Sequence, residues 1–165
     1  MTTIKTWEGA GVADQEVTLN GRETIKWELA TGDMLRRVGP FPEADYSNML
    51  AFWVHAERMT GARITVTVLT PDVNSYYHIT FAVEWTGWNL IQLEKEAFTR
   101  VGSPSWHFVQ DIEFRGIEGP LGPTVLRLGD LQWSEQAPLW DIGRGEYLVE
   151  PFYNAQFSPV QRWQI

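Results

Sequence analysis

The chain has 165 residues, 44% of them hydrophobic, which is enough for one well-buried core and short for two. Its formal net charge of −8 makes a nucleic acid or an anionic membrane surface a poor partner. Because the chain has no cysteine, disulfides, thiolate nucleophiles and zinc–thiolate sites are excluded, and the redox compartment stays open.

The amino-terminal sequence MTTIKTWEGAG lacks the apolar stretch of a secretory signal. No run in the chain approaches the roughly 20 apolar residues of a membrane span. We therefore expect a chain that stays in solution and has no export signal of its own. As a module excised from a larger secreted protein, it would be extracellular or periplasmic.

Strands are predicted wherever apolar and polar residues alternate with a period of two. In 49–55, the residues of core parity are Leu50, Phe52 and Val54, which leaves Trp53 and His55 on the opposite face. The segment 62–69 places every second residue inside in the same way. The segments predicted as strands are 4–8, 23–29 with Trp27 in the core, 34–38, 49–55, 62–69, 76–85, 88–93, 106–115 and 124–133.

The segment 76–93, YYHITFAVEWTGWNLIQL, predicts a β-hairpin with its turn at Thr86-Gly87. Its inward residues are predicted to be Tyr77, Ile79, Phe81, Val83 and Trp85. Trp88 is out of phase with the second arm, so we expect a β-bulge near Gly87 or Asn89. The turn signal Asn20-Gly21 is expected between the strands 4–8 and 23–29, and 39–48 is expected to be a loop.

Strand 106–115 predicts Phe108, Ile112 and Phe114 inside, with Glu113 and Arg115 outside. Many short strands, turn signals between them and no long amphipathic helix predict an all-β fold, an antiparallel β-sandwich. The sandwich is expected over 1–133. The aromatic-rich tail 134–165 is expected to pack on the sandwich, on a second copy in a homo-oligomer, or on a domain of a parent enzyme.

The order of motifs resembles the galactose-binding-like jelly rolls of carbohydrate-binding modules. The motifs are FPEADYSNMLAFWVHAE, ITVTV, YYHITFAVEWTGWNLIQL, FTRVGSPSWHFVQDIEFRG and TVLRLGDLQW, within residues 5–133. More narrowly, the chain resembles the non-catalytic β-sandwich domain of heparinase II/III-like polysaccharide lyases. The resemblance implies a jelly roll and a glycan ligand.

The chain departs from that family pattern at three places. Tyr46 stands where a tryptophan is common, and we interpret it as a loop-packing substitution. The resemblance implies a structural calcium ion held by Glu8 and Asp130, but Gly129 replaces one acidic residue of the pair in the last strand. The family pattern assigns no role to the tail after Trp133.

Outward parity brings together a set of aromatic and planar polar side chains that suits a sugar ligand. Flat sugar faces stack on rings, while hydroxyl groups are oriented by polar side chains. The predicted ligand-binding residues are Trp53, His55, Tyr76, His78, Glu113 and Arg115, with Thr65 and Thr67 between them, and Trp106 at the loop rim. The alternative is that Trp53 and Tyr76 are covered by the tail or by a second layer of core.

The loop rim offers a second candidate site at Trp85, Trp88, Trp106 and His107. We expect Trp88 to pack on the hairpin and Trp106, after GSPS, to be the better exposed of these residues. Anionic glycans such as heparin are disfavoured unless Arg115 and Arg127 lie close together.

Catalytic motifs are missing, since no G-x-S-x-G, H-E-x-x-H, Walker or G-x-G-x-x-G pattern stands in a suitable context. We therefore predict a non-catalytic carbohydrate-binding or accessory module. Two alternatives stay open. One is a small jelly-roll cyclase or lyase that uses His55, Tyr76, His78 and Glu113 as acid and base in a concave pocket, and the other is a structural or assembly module.

Overall fold

Two antiparallel sheets form the molecule in the computed structural model, which describes residues 7–31 and 34–135. The strands are β1 Trp7–Gly9, β2 Val12–Leu19, β3 Arg22–Glu28, β4 Leu35–Arg37, β5 Met49–Ala56, β6 Arg63–Leu69, β7 Tyr76–Ala82, β8 Gly87–Glu94, β9 Thr99–Val101, β10 Asp111–Ile117 and β11 Val125–Ser134. Short 3₁₀ turns occupy Leu29–Thr31, Pro42–Asp45, Lys95–Ala97 and Trp106–Phe108.

The six-stranded sheet has the order β1-β4-β10-β6-β7-β9, and the five-stranded sheet has the order β2-β3-β11-β5-β8. Their inner faces meet in one core because apolar side chains on alternate positions point between the sheets. The five-stranded sheet contributes Trp27, Phe52 and Leu126, and the six-stranded sheet contributes Ile64 and Phe114, all at most 1% exposed. The all-β antiparallel sandwich predicted from alternation is confirmed, as is the jelly roll that the family resemblance implies.

The alternation also predicted the side-chain parity of the central strands correctly. Leu50, Phe52 and Val54 on β5 are fully buried, as is every second residue of β6 from Ile64 to Val68. On β10, Ile112 and Phe114 are fully buried. Phe108 is the exception, since the chain from 106 to 108 is a 3₁₀ turn and leaves this side chain 60% exposed.

The predicted hairpin over 76–93 is wrong, because its two arms lie in different sheets. Strand β7 pairs with β6 and β9, whereas β8 pairs with β5. The chain crosses between the sheets after Val83, which still exchanges backbone hydrogen bonds with Gly61 and Ala62 at 2.9 and 2.8 Å. The indole Nε1 of Trp85 then donates to the Val54 carbonyl at 3.3 Å and ties the crossing to β5.

The bulge expected near Gly87 is also absent. β5 and β8 pair without a register shift from Met49–Glu94 to Ala56–Gly87. Trp88 is out of phase with the buried Ile91 simply because it lies on the outer face of β8. The phase difference between Trp88 and Ile91 is real, but its interpretation as a bulge was wrong.

The strand β2 was not predicted, and it changes the place of the Asn20-Gly21 turn. This turn joins β2 to β3, with positive φ angles of 53° and 79° at its two residues, and not the strand at 4–8 to β3. The described residues contain no helix long and apolar enough to cross a membrane. The predictions for the tail concern residues that, beyond Glu135, lie outside the described ranges.

Candidate functional site

The predicted sugar platform is divided between two opposite surfaces of the sandwich. Trp53 and His55 lie on β5, on the outer face of the five-stranded sheet. Tyr76 and His78 on β7, like Glu113 on β10, lie on the outer face of the six-stranded sheet. A single platform of all these side chains is therefore wrong, since outward parity does not say which sheet a strand joins.

The same division corrects the enzymatic alternative. An acid and a base that act on one substrate must both lie within hydrogen-bond reach of it, about 3 Å. His55 lies on the opposite side of the sandwich from Tyr76, His78 and Glu113, so these four groups do not converge on one pocket.

On the outer face of the six-stranded sheet, Glu113 is already engaged. Its Oε2 accepts from Arg36 Nη2 at 3.0 Å and its Oε1 accepts from Arg115 Nε at 3.0 Å. Beside it in the register stand Thr67 and then His78. The result is a polar surface on which each oxygen of the nearly buried Glu113 carboxylate has an arginine partner.

Two aromatic rings complete this surface. Tyr76 and His78 lie with ring centroids 6.0 Å apart. The hydroxyl groups of Thr65 and Thr80 are hydrogen-bonded to each other at 2.9 Å. This surface brings together Tyr76, His78, Glu113 and Arg115 of the predicted set, but it has no tryptophan among these residues.

The outer face of the five-stranded sheet holds two tryptophans on neighbouring strands. Trp53 pairs with Leu90, and His55 pairs with Trp88, so the two indoles are diagonal neighbours across β5 and β8. Such neighbours lie about 7–8 Å apart. Both indoles are half-buried, and the His55 ring meets Trp88 edge-on at 5.2 Å. We call Trp53, His55, Trp88 and Leu90 the tryptophan face.

Next to the tryptophan face lies a buried arginine. Arg127 on β11 pairs with His55 and points to the same side, yet it is only 3% exposed. Its Nε donates to Asp14 Oδ2 at 2.9 Å, and its Nη1 donates to Glu57 Oε2. The guanidinium is thus held by one buried and one half-exposed carboxylate.

The irregular strand β2 provides Asp14. Its pairing with β3 shifts between Asp14 and Leu19, and the backbone amides of Glu16 and Val17 turn toward the Asp14 carboxylate at 3.5 and 3.3 Å. Burial opposes the ionisation of Asp14, but the hydrogen bonds from Arg127 and these amides outweigh it. The pKa of Asp14 therefore lies below its usual value.

His55 is held in its neutral form. Burial lowers the pKa of His55, the nearby Arg127 cation lowers it further, and Glu57 opposes the shift in part. Its Nδ1 is buried and has no hydrogen-bond partner among the described residues. The imidazole therefore resists protonation on this face.

The lowered pKa of His55 predicts a pH-dependent stability. Because the unfolded state binds this proton more tightly, the free energy of unfolding is highest above pH 6.5, the ordinary pKa of His55, and falls as the pH drops through the lower folded pKa. Urea midpoints measured between pH 8 and pH 5 should decrease for the wild type. The variant His55→Gln should show a flatter profile across this window, and equal slopes would contradict the prediction.

Trp106 lies in an aromatic cluster and does not stand free at the loop rim. Its ring stacks on the Tyr77 ring, with the two centroids 3.7 Å apart and an angle of 3° between the ring planes. It also meets the rings of Phe98 and Trp133 edge-on. The expectation that Trp106 is the better exposed of the loop-rim residues is thus wrong, because its ring is packed against the core at this end of the sandwich and His107 is the more exposed residue.

Replacing Trp106 with alanine should destabilise the protein by about 3 kcal/mol, at the low end for a lost tryptophan because the side chain is half-buried. Urea denaturation measures this change. Phe108→Ala is the matched control, since Phe108 belongs to the same 3₁₀ turn but is 60% exposed, and it should cost less than about 0.5 kcal/mol. Equal losses in the two variants would contradict the packing role.

Of the other loop-rim residues, Trp85 is packed and His107 lies at the surface. Trp85 stacks on Phe81 at 6.2 Å and packs against the core. His107 Nδ1 lies 2.9 Å from Asp45 Oδ2 at the surface.

Tyr46 is 74% exposed, so its interpretation as a loop-packing residue is wrong.

The calcium site that the family resemblance implies would join a residue of each sheet. Glu8 lies on β1 in the six-stranded sheet, and Asp130 lies on β11 in the five-stranded sheet, where Arg22 binds its carboxylate. Calcium takes six to eight oxygen ligands. Within residues 7–31 and 34–135, no group of three or more His, Asp or Glu side chains is placed to hold a metal. Calcium held by Glu8 and Asp130 stays a prediction of the family resemblance, and a comparison of melting temperatures in calcium and in chelator would test it.

The structure places Trp88, which the sequence assigned to the loop rim, on the tryptophan face, and it adds Leu90, Arg127 and Asp14, which sequence reasoning did not assign to a site. Trp88 and Leu90 shared the outward parity of β8, but the assumed hairpin concealed their neighbours Trp53 and His55. Arg127 also had outward parity, between Leu126 and Leu128. Nothing in the local pattern of β2 indicated that Asp14 would bind Arg127, since that contact joins residues 113 positions apart.

A scan against protein-family models finds no match, and a search of curated protein sequences also finds none. Solved structures do match. A family 30 carbohydrate-binding module aligns with a TM-score of 0.59 at 10% identity, over 87% of this chain and 84% of that module. The family 11 module from Clostridium thermocellum, in complex with a β-1,3-1,4-mixed-linked tetrasaccharide, aligns with 0.56 at 9% identity, over 78% and 83%.

A third match is an exo-β-agarase, with a TM-score of 0.61 at 8% identity over 82% of this chain and 24% of the agarase. At such low identities these likenesses concern the fold. The narrower resemblance to the accessory domain of heparinase II/III-like lyases stays a prediction. The chain thus shares the β-sandwich fold of solved carbohydrate-binding modules.

Proposed function

We propose that the chain is a non-catalytic carbohydrate-binding module whose ligand, an oligo- or polysaccharide, lies on the tryptophan face. The main support is the diagonal pair Trp53 and Trp88, whose half-exposed rings stand on adjacent strands. Two rings at this spacing can stack on two different sugar units of one glycan chain. The fold shared with solved carbohydrate-binding modules supports the same proposal.

The charges around the tryptophan face favour a neutral glycan. Arg127 is already paired with Asp14 and Glu57, so this cation is not free to bind a carboxylate or sulfate group of a ligand. Arg115 lies on the outer face of the other sheet, so the two arginines do not act together. The net charge of −8 further disfavours polyanionic chains.

Affinity electrophoresis on soluble polysaccharides tests this proposal. The panel contains mixed-linked β-1,3-1,4-glucan, galactomannan and xylan as neutral chains, and pectin and heparin as anionic chains. The wild type should be retarded by at least one neutral chain, and Trp53→Ala should lose that retardation. Tyr76→Ala is the matched control, because Tyr76 lies on the opposite outer face. Retardation lost only in Tyr76→Ala would move the site to the six-stranded sheet, and a wild type that binds no chain contradicts the function.

We propose further that this module accompanies a larger enzyme. The match to about a quarter of an exo-β-agarase supports this role, since there a domain of the same fold is one part of a longer chain. A contact through 134–165 with a second copy or with a parent enzyme belongs to this proposal. Analytical ultracentrifugation of the full chain would detect the second copy, and a purely monomeric chain would exclude it.

A further inference from the structure

The two ring nitrogens of His55 lie in different surroundings. Nδ1 is fully buried and finds no hydrogen-bond partner among the described residues. Nε2 is not among the buried unpaired atoms, and no described residue hydrogen-bonds to it. Because the side chain as a whole is half-buried, Nε2 is the ring nitrogen that a ligand on the tryptophan face can reach.

This asymmetry determines which nitrogen holds the proton. A neutral imidazole has one N–H donor and one acceptor nitrogen. A buried N–H without a partner is rarer and more costly than an unpaired acceptor. A proton on Nδ1 would be such an orphan. The proton of the neutral ring therefore belongs on Nε2.

The surrounding groups keep this arrangement in place. On one side of His55, β11 contributes the Arg127 cation, fixed by Asp14 of β2, with Lys26 of β3 beyond it in the same register. On the other side, β8 contributes the uncharged Trp88. At the end of β5, the Glu57 carboxylate is bound by Arg127.

We propose that His55 is the specificity-determining donor of the tryptophan face, with its Nε2–H directed at an acceptor oxygen of the bound glycan and its buried Nδ1 left unprotonated. This inference rests on the proposed function. The ligand must then place a ring, glycosidic or hydroxyl oxygen between the sugar units that stack on Trp53 and Trp88. Arg127 is a positioning residue in this scheme. Its positive charge keeps the His55 ring neutral, and it does not touch the glycan.

Substitutions at His55 distinguish the two ring nitrogens in a binding experiment. A glutamine amide nitrogen reaches approximately to the position of Nε2, an asparagine amide nitrogen lies closer to Nδ1, and leucine has no donor. With mixed-linked β-glucan as the probe, or the chain that the panel selects, H55Q should bind within about threefold of the wild type. H55N and H55L should each lose about three- to tenfold, as expected for one hydrogen bond. An H55Q as weak as H55L, or an H55N equal to the wild type, would overturn the assignment.

Side-chain ¹H–¹⁵N NMR of the three histidines tests the tautomer without any ligand. The His55 signals, assigned with H55Q, should show the Nε2–H tautomer at pH 7.5 and should keep it to below pH 6.5. His78 and His107 provide internal references in the same spectrum. An Nδ1–H pattern at His55 would overturn the proposal even if glycan binding were found. The Nε2–H pattern in a protein that binds no glycan would contradict the binding function and, with it, the donor role.

Discussion

Replacing Arg127 with alanine is expected to destabilise the protein by about 3–5 kcal/mol, because it leaves the buried Asp14 carboxylate without its charged partner. Arg127 is 3% exposed and Asp14 is 9% exposed, so water replaces little of the lost interaction. Urea denaturation at pH 7 measures the change, and the m-value should stay constant if the variant still unfolds in two states.

The matched control is Arg22→Ala, which breaks an ion pair of the same chemistry at the surface. The Arg22 side chain is 61% exposed, and exposed pairs contribute only about 0–1 kcal/mol. A loss in Arg127→Ala no larger than that in Arg22→Ala would contradict the buried role. A second signature is the pH dependence. Without Arg127, the folded pKa of Asp14 should be higher than in the wild type, because burial then opposes only the two backbone amides. The variant should therefore lose less stability than the wild type as the pH falls through the range in which Asp14 titrates.

The core could be predicted from the sequence because alternation is a local property. A strand such as 49–55 has Leu50, Phe52 and Val54 on one parity, and no knowledge of its partner strand is needed to place them inside. The same argument succeeded for Ile112 and Phe114. It failed for Phe108, where the 3₁₀ turn at 106–108 replaces the period of two.

Strand pairing could not be predicted in the same way, because it depends on residues distant along the chain. The sequence between β7 and β8 looks like a tight turn, yet Val83 hydrogen-bonds to Gly61 and Ala62, and the chain then crosses to the other sheet. Adjacent strands in sequence usually pair, and this pair does not. The predicted site was wrong for the same reason, since it grouped His55 with His78 although they lie on different sheets.

Polar contacts on the outer face were the least accessible to sequence reasoning. Lys26, Arg127 and His55 form one row across β3, β11 and β5 only once the register of three strands is known. The sequence did indicate Trp53 and His55 as outward residues of β5. It could not indicate that Arg127 would be buried beside them, because the Asp14 carboxylate comes from an irregular strand with no alternation.

Removing both indoles of the tryptophan face is expected to weaken glycan binding at least as much as removing either one, while the protein stays folded. A stacked, half-buried aromatic ring at the centre of a binding surface typically contributes about 1–3 kcal/mol, so each of Trp53→Ala and Trp88→Ala should weaken binding by roughly 5- to 150-fold. If one glycan chain spans both rings, each single variant should retain part of the affinity. The double variant should lose at least as much as the larger single loss.

Isothermal titration with the selected polysaccharide measures all three variants, and their circular dichroism and urea midpoints test the fold. The double-mutant cycle also separates two geometries. Independent stacking of two sugar units predicts losses that add within about 0.5 kcal/mol, whereas one sugar unit held between both rings predicts strong coupling. The diagonal placement of Trp53 and Trp88 across β5 and β8 favours additivity. If Trp88→Ala binds the glycan as tightly as the wild type, Trp88 does not contact the glycan. The proposed site would then be reduced to Trp53 and His55.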